Sequence, residues 1–346
     1  MTLRYVSLFS GAGGLDLGLT RAGFTPVMAT DENRNACATL RSAMPPVPVV
    51  QADIHDLLNA GDTGVLARQA PDGLVAGHPP LVSSGRFDKL ADPDGDEPQL
   101  LYRFLDAVAL VRPAAFALAT IPALASLRWS AVMTRLRRLA RDHGYDTFAP
   151  VLDAADYGVP QHRELLFLIG MPKGCKPDAS AAETTAGRAS AGAALANLPA
   201  GARDVPCPAG VTLAAHPVLR NSPYSGQLLS GTGRMLDLRR TAPFIAAALG
   251  GNRTPVLDLD QLEYGAAPWI ERYHEYLSKW GGTPGTFDGT PGRMRRLSLR
   301  ECAALQGFPP GHPFSGSPVA QFKLAGAAAP PALGEAVGRS ILAGLA

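Results

Sequence analysis

Cysteine is scarce in this 346-residue chain: Cys37, Cys175, Cys207 and Cys302 stand far apart, and no two form a C-x-x-C pair. That spacing suggests neither a zinc cluster nor a disulfide framework, so no metal is expected. An excess of one charge is also missing. Against 30 Asp+Glu there are 32 Lys+Arg, and the formal balance of +2 is too small to imply a polyanion partner. Any nucleic-acid surface must be a local patch. No apolar run reaches membrane-spanning length, and "TLRYVSLFSGAGG" after Met1 has no basic segment leading into an apolar one. The expectation is a cytoplasmic protein with no membrane partner. What is present is a globular composition, 46% hydrophobic and 18% charged, enough for one large domain with a lobe or for two domains.

The first 170 or so residues alternate strand-like and helix-like segments. "LRYVSLF", "TPVMAT", "VPVVQAD", "GLVAG", "AAFALAT" and "ELLFLIG" read as strands. Between them "GGLDLGLTRAGF", "NRNACATLRSA", "PQLLYRFLDAVALVRP" and "SAVMTRLRRLARDHGY" read as helices. This alternation predicts an α/β fold with a parallel, doubly wound sheet. An Ala-, Gly- and Pro-rich stretch from Lys176 then reads as linker and irregular structure. The expected division is a first domain over 1–174, completed by 320–346, with a smaller lobe over 175–319.

Glycines in "LFSGAGGLDLG" lie between the first strand and the first helix, where backbone approaches a ligand closely and a helix N-terminus offers N–H groups. Such a loop suits a pyrophosphate or the amino-acid end of S-adenosylmethionine, although strand-to-helix turns also use glycine for geometry alone. Asp31 ends the second strand, where a carboxylate accepts from ribose hydroxyls, and Asp53 ends the third. Gly, Asp and Asp on successive strand ends favour nucleoside binding over a set of caps.

A second segment poses a puzzle. In "GHPPLVSSGRF" a Pro-Pro pair stiffens the chain and aims the next residue, yet that residue is Leu81, which neither attacks, donates nor accepts.

Taken together, these segments resemble the DNA cytosine-5 methyltransferase family, in the right motif order and over nearly the whole chain. "FSGAGGLDLG", "TDENRNACATL", "ADIHDL", "DAADYGVPQHRELLFLIG", "RRLSLRECAALQGFPPGHPFSGS" and "LAGAAAPPALGEAVG" carry the likeness. The resemblance implies a class I methyltransferase (Rossmann-like) domain with a target-recognition-like lobe, DNA in the cleft between them, and a restriction-modification setting. It also implies that S-adenosylmethionine or S-adenosylhomocysteine is held by Phe9, Gly11, Gly13, Gly14, Leu15, Asp31, Asp53, Ile54, Pro79 and Leu101.

Against that pattern the catalytic positions are altered. Family chemistry adds a cysteine thiolate to cytosine C6 while a glutamic acid protonates N3. Leu81 stands where the cysteine belongs, Val82 where a glutamine usually follows, and Ala119 and Thr120 where the acid and its neighbouring Asn belong. Of Gln-x-Arg-x-Arg the chain keeps Gln161 and Arg163 but has Leu165; Phe244 replaces a lobe Thr, and Ala327 the closing Asn. Ser83 and Ser84 lie near, but an alcohol lacks the thiol's accessible pKa.

The reading that follows is a catalytically silent relative that keeps the cofactor pocket and binds DNA, a partner protein or an active methyltransferase. A decayed enzyme without a role is the bland alternative. Altered chemistry is the other, for example non-covalent methylation of an amine, but "HPPL" lacks the Asp, Asn or Ser that such enzymes place before Pro-Pro. For DNA phosphates the candidates are Arg163, Arg293, Arg295 and Arg296; Arg135, Arg137, Arg138 and Arg141 space like a solvated helix face.

Overall fold

The computed structural model describes residues 3–59, 64–68, 73–80, 96–182, 187–198, 207–245, 249–281, 287 and 293–346. Four parallel strands open the chain: β1 (Arg4–Leu8), β2 (Thr25–Asp31), β3 (Val49–Gln51) and β4 (Leu74–Gly77). Between them run α1 (Gly14–Ala22), α2 (Arg34–Ala43), α3 (Ile54–Asn59) and α4 (Val65–Arg68). There follow α5 (Asp96–Val111), β5 (Ala115–Thr120), α6 (Ser130–Asp142), β6 (Tyr145–Phe148), β7 (Val151–Asp153) and β8 (Glu164–Pro172). The sheet runs β3-β2-β1-β4-β5-β8-β6, with β7 also paired to β8. This is the expected α/β architecture of a class I methyltransferase.

One strand corrects the all-parallel expectation. "ELLFLIG" forms the core of β8, which pairs antiparallel with β5, β6 and β7. The cause is the length of the connection. A parallel return needs a crossover of a dozen or more residues, whereas β7 reaches β8 through residues 154–163, a 3₁₀ turn closed by Gly158 at φ 77° and a short irregular stretch. The strands β6 and β7, like α3 and α4, are too short to show periodicity in the sequence.

Local signals place the helices that frame the site. The Asn33 side chain caps α2 by accepting from the Asn35 and Ala36 amides. Helix α1 stops at Gly23, whose φ of 110° is open to glycine alone. Strand alternation then divides β5 and β8 between two cores. Phe116, Leu118, Leu166 and Leu168 face α5 and α6, while Ala117, Ala119, Leu165 and Phe167 face α1 and the last helix.

The small lobe begins with α7 (Ala191–Ala196) and the hairpin of β9 (Leu213–Val218) and β10 (Gln227–Leu229). It continues with β11 (Val256–Asp258), α8 (Leu259–Tyr264), α9 (Trp269–Lys279) and β12 (Met294–Arg296), which pairs with β11. Its aromatic centre stacks Trp269 on Tyr273 at 4.9 Å, with Phe287 against both. Helix α10 (Leu299–Leu305) starts with a capping box of Ser298 and Glu301. Helix α11 (Pro318–Ala327) buries Phe322 and Ala325 in the lobe's core and also touches α2, and α12 (Pro331–Leu345) lies along α1.

Candidate functional site

After β1 the backbone turns sharply through three positive φ values: Phe9 at 52°, Gly11 at 56° and Gly13 at 78°. Two of the three are glycines because the left-handed region costs any other residue about 1 kcal/mol or more. Asp31, at the end of β2, closes on this loop. Its Oδ2 accepts from the Gly11 amide at 2.9 Å and its Oδ1 from the Asn33 amide at 2.8 Å. Burial raises the Asp31 carboxyl above the usual range, while these two backbone bonds pull it down. Asp53 accepts from the His55 amide at 2.7 Å at the start of α3. Asp31 thus closes directly on the loop, while Asp53 bonds the first turn of α3.

The glycines divide in role. Around a Cβ added at Gly11 there is nothing within 4 Å, so that face of the loop is open to a ligand. A Cβ at Gly14 would overlap the Ala329 carbonyl, and one at Gly18 the Pro331 carbonyl. Those glycines let α12 approach α1. The other expected cofactor residues lie deeper. Leu15 and Leu101 are core side chains on opposite faces of the sheet, and Ile54 and Pro79, the first proline of the Pro-Pro pair, are buried. The open face at Gly11, beside a carboxylate, fits the amino-acid and ribose portions of a nucleoside cofactor.

The positions that the resemblance assigns to catalysis form a different environment. Leu81, Val82, Ser83 and Ser84 lie outside the described residues. Just before them, burial and then the Arg163 charge push the His78 imidazole down to about 3, so it is neutral. Ala119 is wholly buried and pairs with Phe167 across β5 and β8. On the same face lies Leu165, and with Ala154, Val159 and Ala329 these two side chains make one continuous apolar cluster. Thr120 points to the opposite face, and its buried Oγ1 finds no hydrogen-bond partner among the described residues.

Arg163 survives but is turned to structural use. Burial lowers its guanidinium to about 10, which leaves it charged. Its Nη1 donates to the Gly326 carbonyl at 2.9 Å and the Ile245 carbonyl at 3.4 Å, and its Nη2 to the Ala327 carbonyl at 3.2 Å. Gln161 adds bonds to the Leu305 carbonyl and the Ile245 amide. Together they tie the start of β8 to the lobe and to the end of α11.

The arginines expected to meet DNA are also engaged. Arg296 is fully buried, donating to the Thr254 and Ser230 carbonyls at 2.7 and 2.8 Å, so a phosphate contact would require it to leave the interior. Arg295 forms a bidentate pair with buried Glu301, at 2.7 and 2.8 Å. Arg293 is half exposed and pairs with Glu263 at 2.8 Å.

Where His162 meets the small lobe opens a cleft of about 880 Å³, whose lining residues His162, Arg188, Tyr224, Asp237, Arg239 and Arg240 were not singled out in the sequence. Asp153 holds the His162 Nδ1 at 2.8 Å, and Asp237 and Glu271 hold Arg239. The Arg239-Arg240 dipeptide was the available signal. Among the described residues no group of three or more His, Cys, Asp or Glu is placed to hold a metal, and no helix is long and apolar enough to cross a membrane.

The chain is similar in sequence and in fold to known proteins. Among curated proteins, Type II methyltransferase M.MthTI of Methanothermobacter thermautotrophicus is 27% identical over 348 residues, covering 99% of this chain and 97% of its own. Type II methyltransferase M1.HphI of Haemophilus parahaemolyticus is 27% identical over 350 residues, covering 99% and 87%. Two solved structures share the fold. The S. pombe Dnmt2 methyltransferase superposes with a TM-score of 0.65 at 16% identity, over 99% of this chain and 97% of its own. A DNA modification methyltransferase encoded within an E. coli prophage reaches 0.69 at 20% identity, over 99% of both. Residues 3–204 and 253–343 match the C-5 cytosine-specific DNA methylase description, and the chain belongs to that family.

Proposed function

We propose that this protein is a catalytically silent member of its family. It keeps a pocket for S-adenosylmethionine or S-adenosylhomocysteine and acts by binding DNA, a partner protein, or both. The observation that supports this reading is the apolar cluster of Ala119, Leu165, Ala154, Val159 and Ala329, which includes the two positions that the resemblance assigns to the acid and the second arginine. Cytosine C5 becomes nucleophilic only when a thiolate adds at C6 and an acid protonates N3. Leu81 has no thiol, Ala119 has no acid, and Leu165 has no guanidinium for the charge that builds on the base. Each such group is worth about 10²–10⁴ in rate, and members of one catalytic unit do not recover independently.

The cofactor part of the reading rests on the open face at Gly11 and on Asp31. S-adenosylhomocysteine bound there would set its polar end against the loop and its ribose toward Asp31. The DNA part rests on family membership and on exposed guanidinium groups such as Arg240, 82% exposed at the cleft beside His162.

Transfer of tritiated methyl groups from S-adenosylmethionine to cytosine-rich DNA tests the proposal. Wild type, Leu81→Cys, and Leu81→Cys with Ala119→Glu are all expected to incorporate nothing above background. Clear incorporation by wild type overturns catalytic silence. In parallel, calorimetry should show S-adenosylhomocysteine binding that Asp31→Ala weakens by about 1–3 kcal/mol, the worth of charge-assisted hydrogen bonds.

A further inference from the structure

We propose that His312, in the connection between α10 and α11, is a positioning residue for the glycine loop, fixing the Ala12 peptide so that Gly11 and Gly13 keep a ligand-ready geometry. This rests on the reading that the loop takes a nucleoside cofactor.

The His312 Nε2 meets the Ala12 carbonyl oxygen at 2.9 Å, and both residues are buried. The carbonyl accepts, so this nitrogen carries the proton. Ala12 lies between Gly11 and Gly13, both in the left-handed region. Neither neighbour has a Cβ to restrain the peptide units on either side, so their orientation depends on hydrogen bonds. The Gly13 amide bonds the Ser10 carbonyl at 2.8 Å and the Gly11 amide bonds Asp31, which fixes the ends of the turn. His312 fixes its middle.

The imidazole itself is held tightly. Phe308 and Phe314 flank it at 4.6 and 5.0 Å, and the Arg300 Nη1 donates to the His312 carbonyl at 2.9 Å. Three residues further on, the Ser315 amide donates to the Thr39 Oγ1 in α2 at 2.9 Å. One connection therefore touches both the glycine loop and the helix that follows Asp31, while Arg300 anchors it to the lobe. A residue 300 positions away in sequence holds the loop.

The test uses the full chain as wild type, His312→Leu and His312→Gln, measured by S-adenosylhomocysteine calorimetry and by amide hydrogen exchange. His312→Leu is expected to bind about tenfold more weakly, the loss of one ordering hydrogen bond. Its Gly11, Ala12 and Gly13 amides should exchange faster while the β5 amides keep wild-type rates. His312→Gln, which still donates, should recover most of both. Wild-type affinity and loop exchange in His312→Leu overturn the proposal. So does a rise in exchange that includes β5, which would mark simple destabilisation. If wild type itself binds no S-adenosylhomocysteine, the cofactor reading fails and exchange alone decides. Faster loop exchange in His312→Leu then supports positioning, and unchanged exchange overturns it.

Discussion

The guanidinium carbon of Arg163 stands 5.0 Å from the ring centre of Phe244, a side chain that is itself 58% exposed. The ring caps a cation whose N–H groups already bond three backbone carbonyls, those of Ile245, Gly326 and Ala327. A residue expected to handle a base or a phosphate is thereby fixed between the lobes, with an aromatic lid in place of a ligand. Arg163→Ala should accordingly behave as a stability mutation, leaving three carbonyls without a donor at a cost of about 3 kcal/mol. Urea unfolding gives the measurement, and a loss below about 0.5 kcal/mol would show that water replaces the guanidinium freely.

Ala119→Glu should lower stability without creating activity. The site is wholly buried in an apolar cluster, and a carboxyl forced into it meets Leu165, Ala154 and Val159. Overpacking and polar burial each cost about 1–3 kcal/mol, so a fall in melting temperature of several degrees is expected. An unchanged melting temperature would reveal space for the acid and weaken the case that the pocket is filled.

Gly14→Ala and Gly11→Ala should separate packing from ligand binding. Alanine at 14 meets the Ala329 carbonyl, so α12 must shift and the fold loses stability despite alanine's better helix propensity. Alanine at 11 meets no atom within 4 Å and pays only for its φ of 56°, about 1 kcal/mol, while encroaching on the open face. Thermal unfolding with and without S-adenosylhomocysteine distinguishes them; equal stability losses in the two variants would contradict the assignment.

Stability should depend on pH through two buried groups of opposite sign. Burial raises the Asp16 carboxyl to about 6, so the stability tied to its proton is complete below the unfolded value of 3.8 and is lost as pH rises through about 6. Burial lowers the His312 imidazole to about 4, so its contribution is complete above the unfolded value of 6.5 and is lost as pH falls through about 4. Asp16→Asn should therefore raise stability at pH 8 by on the order of 3 kcal/mol and by little near pH 4. His312→Gln should flatten the acid limb below pH 6.5. A pH-independent effect of Asp16→Asn would mean the carboxyl ionises in the folded protein as readily as in the unfolded chain.

DNA binding should be electrostatic and indifferent to cytosine. A flipped base costs a few kcal/mol, recovered through contacts to its Watson–Crick edge, and Ala119 and Leu165 supply none. The binding constant should fall steeply with salt and match between cytosine-containing and cytosine-free duplexes. Arg240→Ala should reduce the salt slope by about one. Strong preference for one short sequence would show that the small lobe still reads bases.

Much of this was legible from residue order alone. Glycine and aspartate at successive strand ends marked the loop and the Asp31 carboxylate that closes on it, because strand alternation and strand-to-helix turns are local. Leu81, Ala119 and Leu165 were readable in the same way, as residues unlike those the resemblance leads one to expect. Tertiary structure decided the remainder. The antiparallel sense of β8 came from a connection too short for a crossover, and the core role of Gly14 from the segment just before α12, more than three hundred residues away. Arg296 reads as an exposed cation in "RMRRLSLRE", and only the pairing of β12 with β11 shows it sealed under backbone carbonyls. Arg163 and His312 carry no local sign of their partners. What each side chain does is set by which distant carbonyl lies opposite it, and that depends on how the lobes pack.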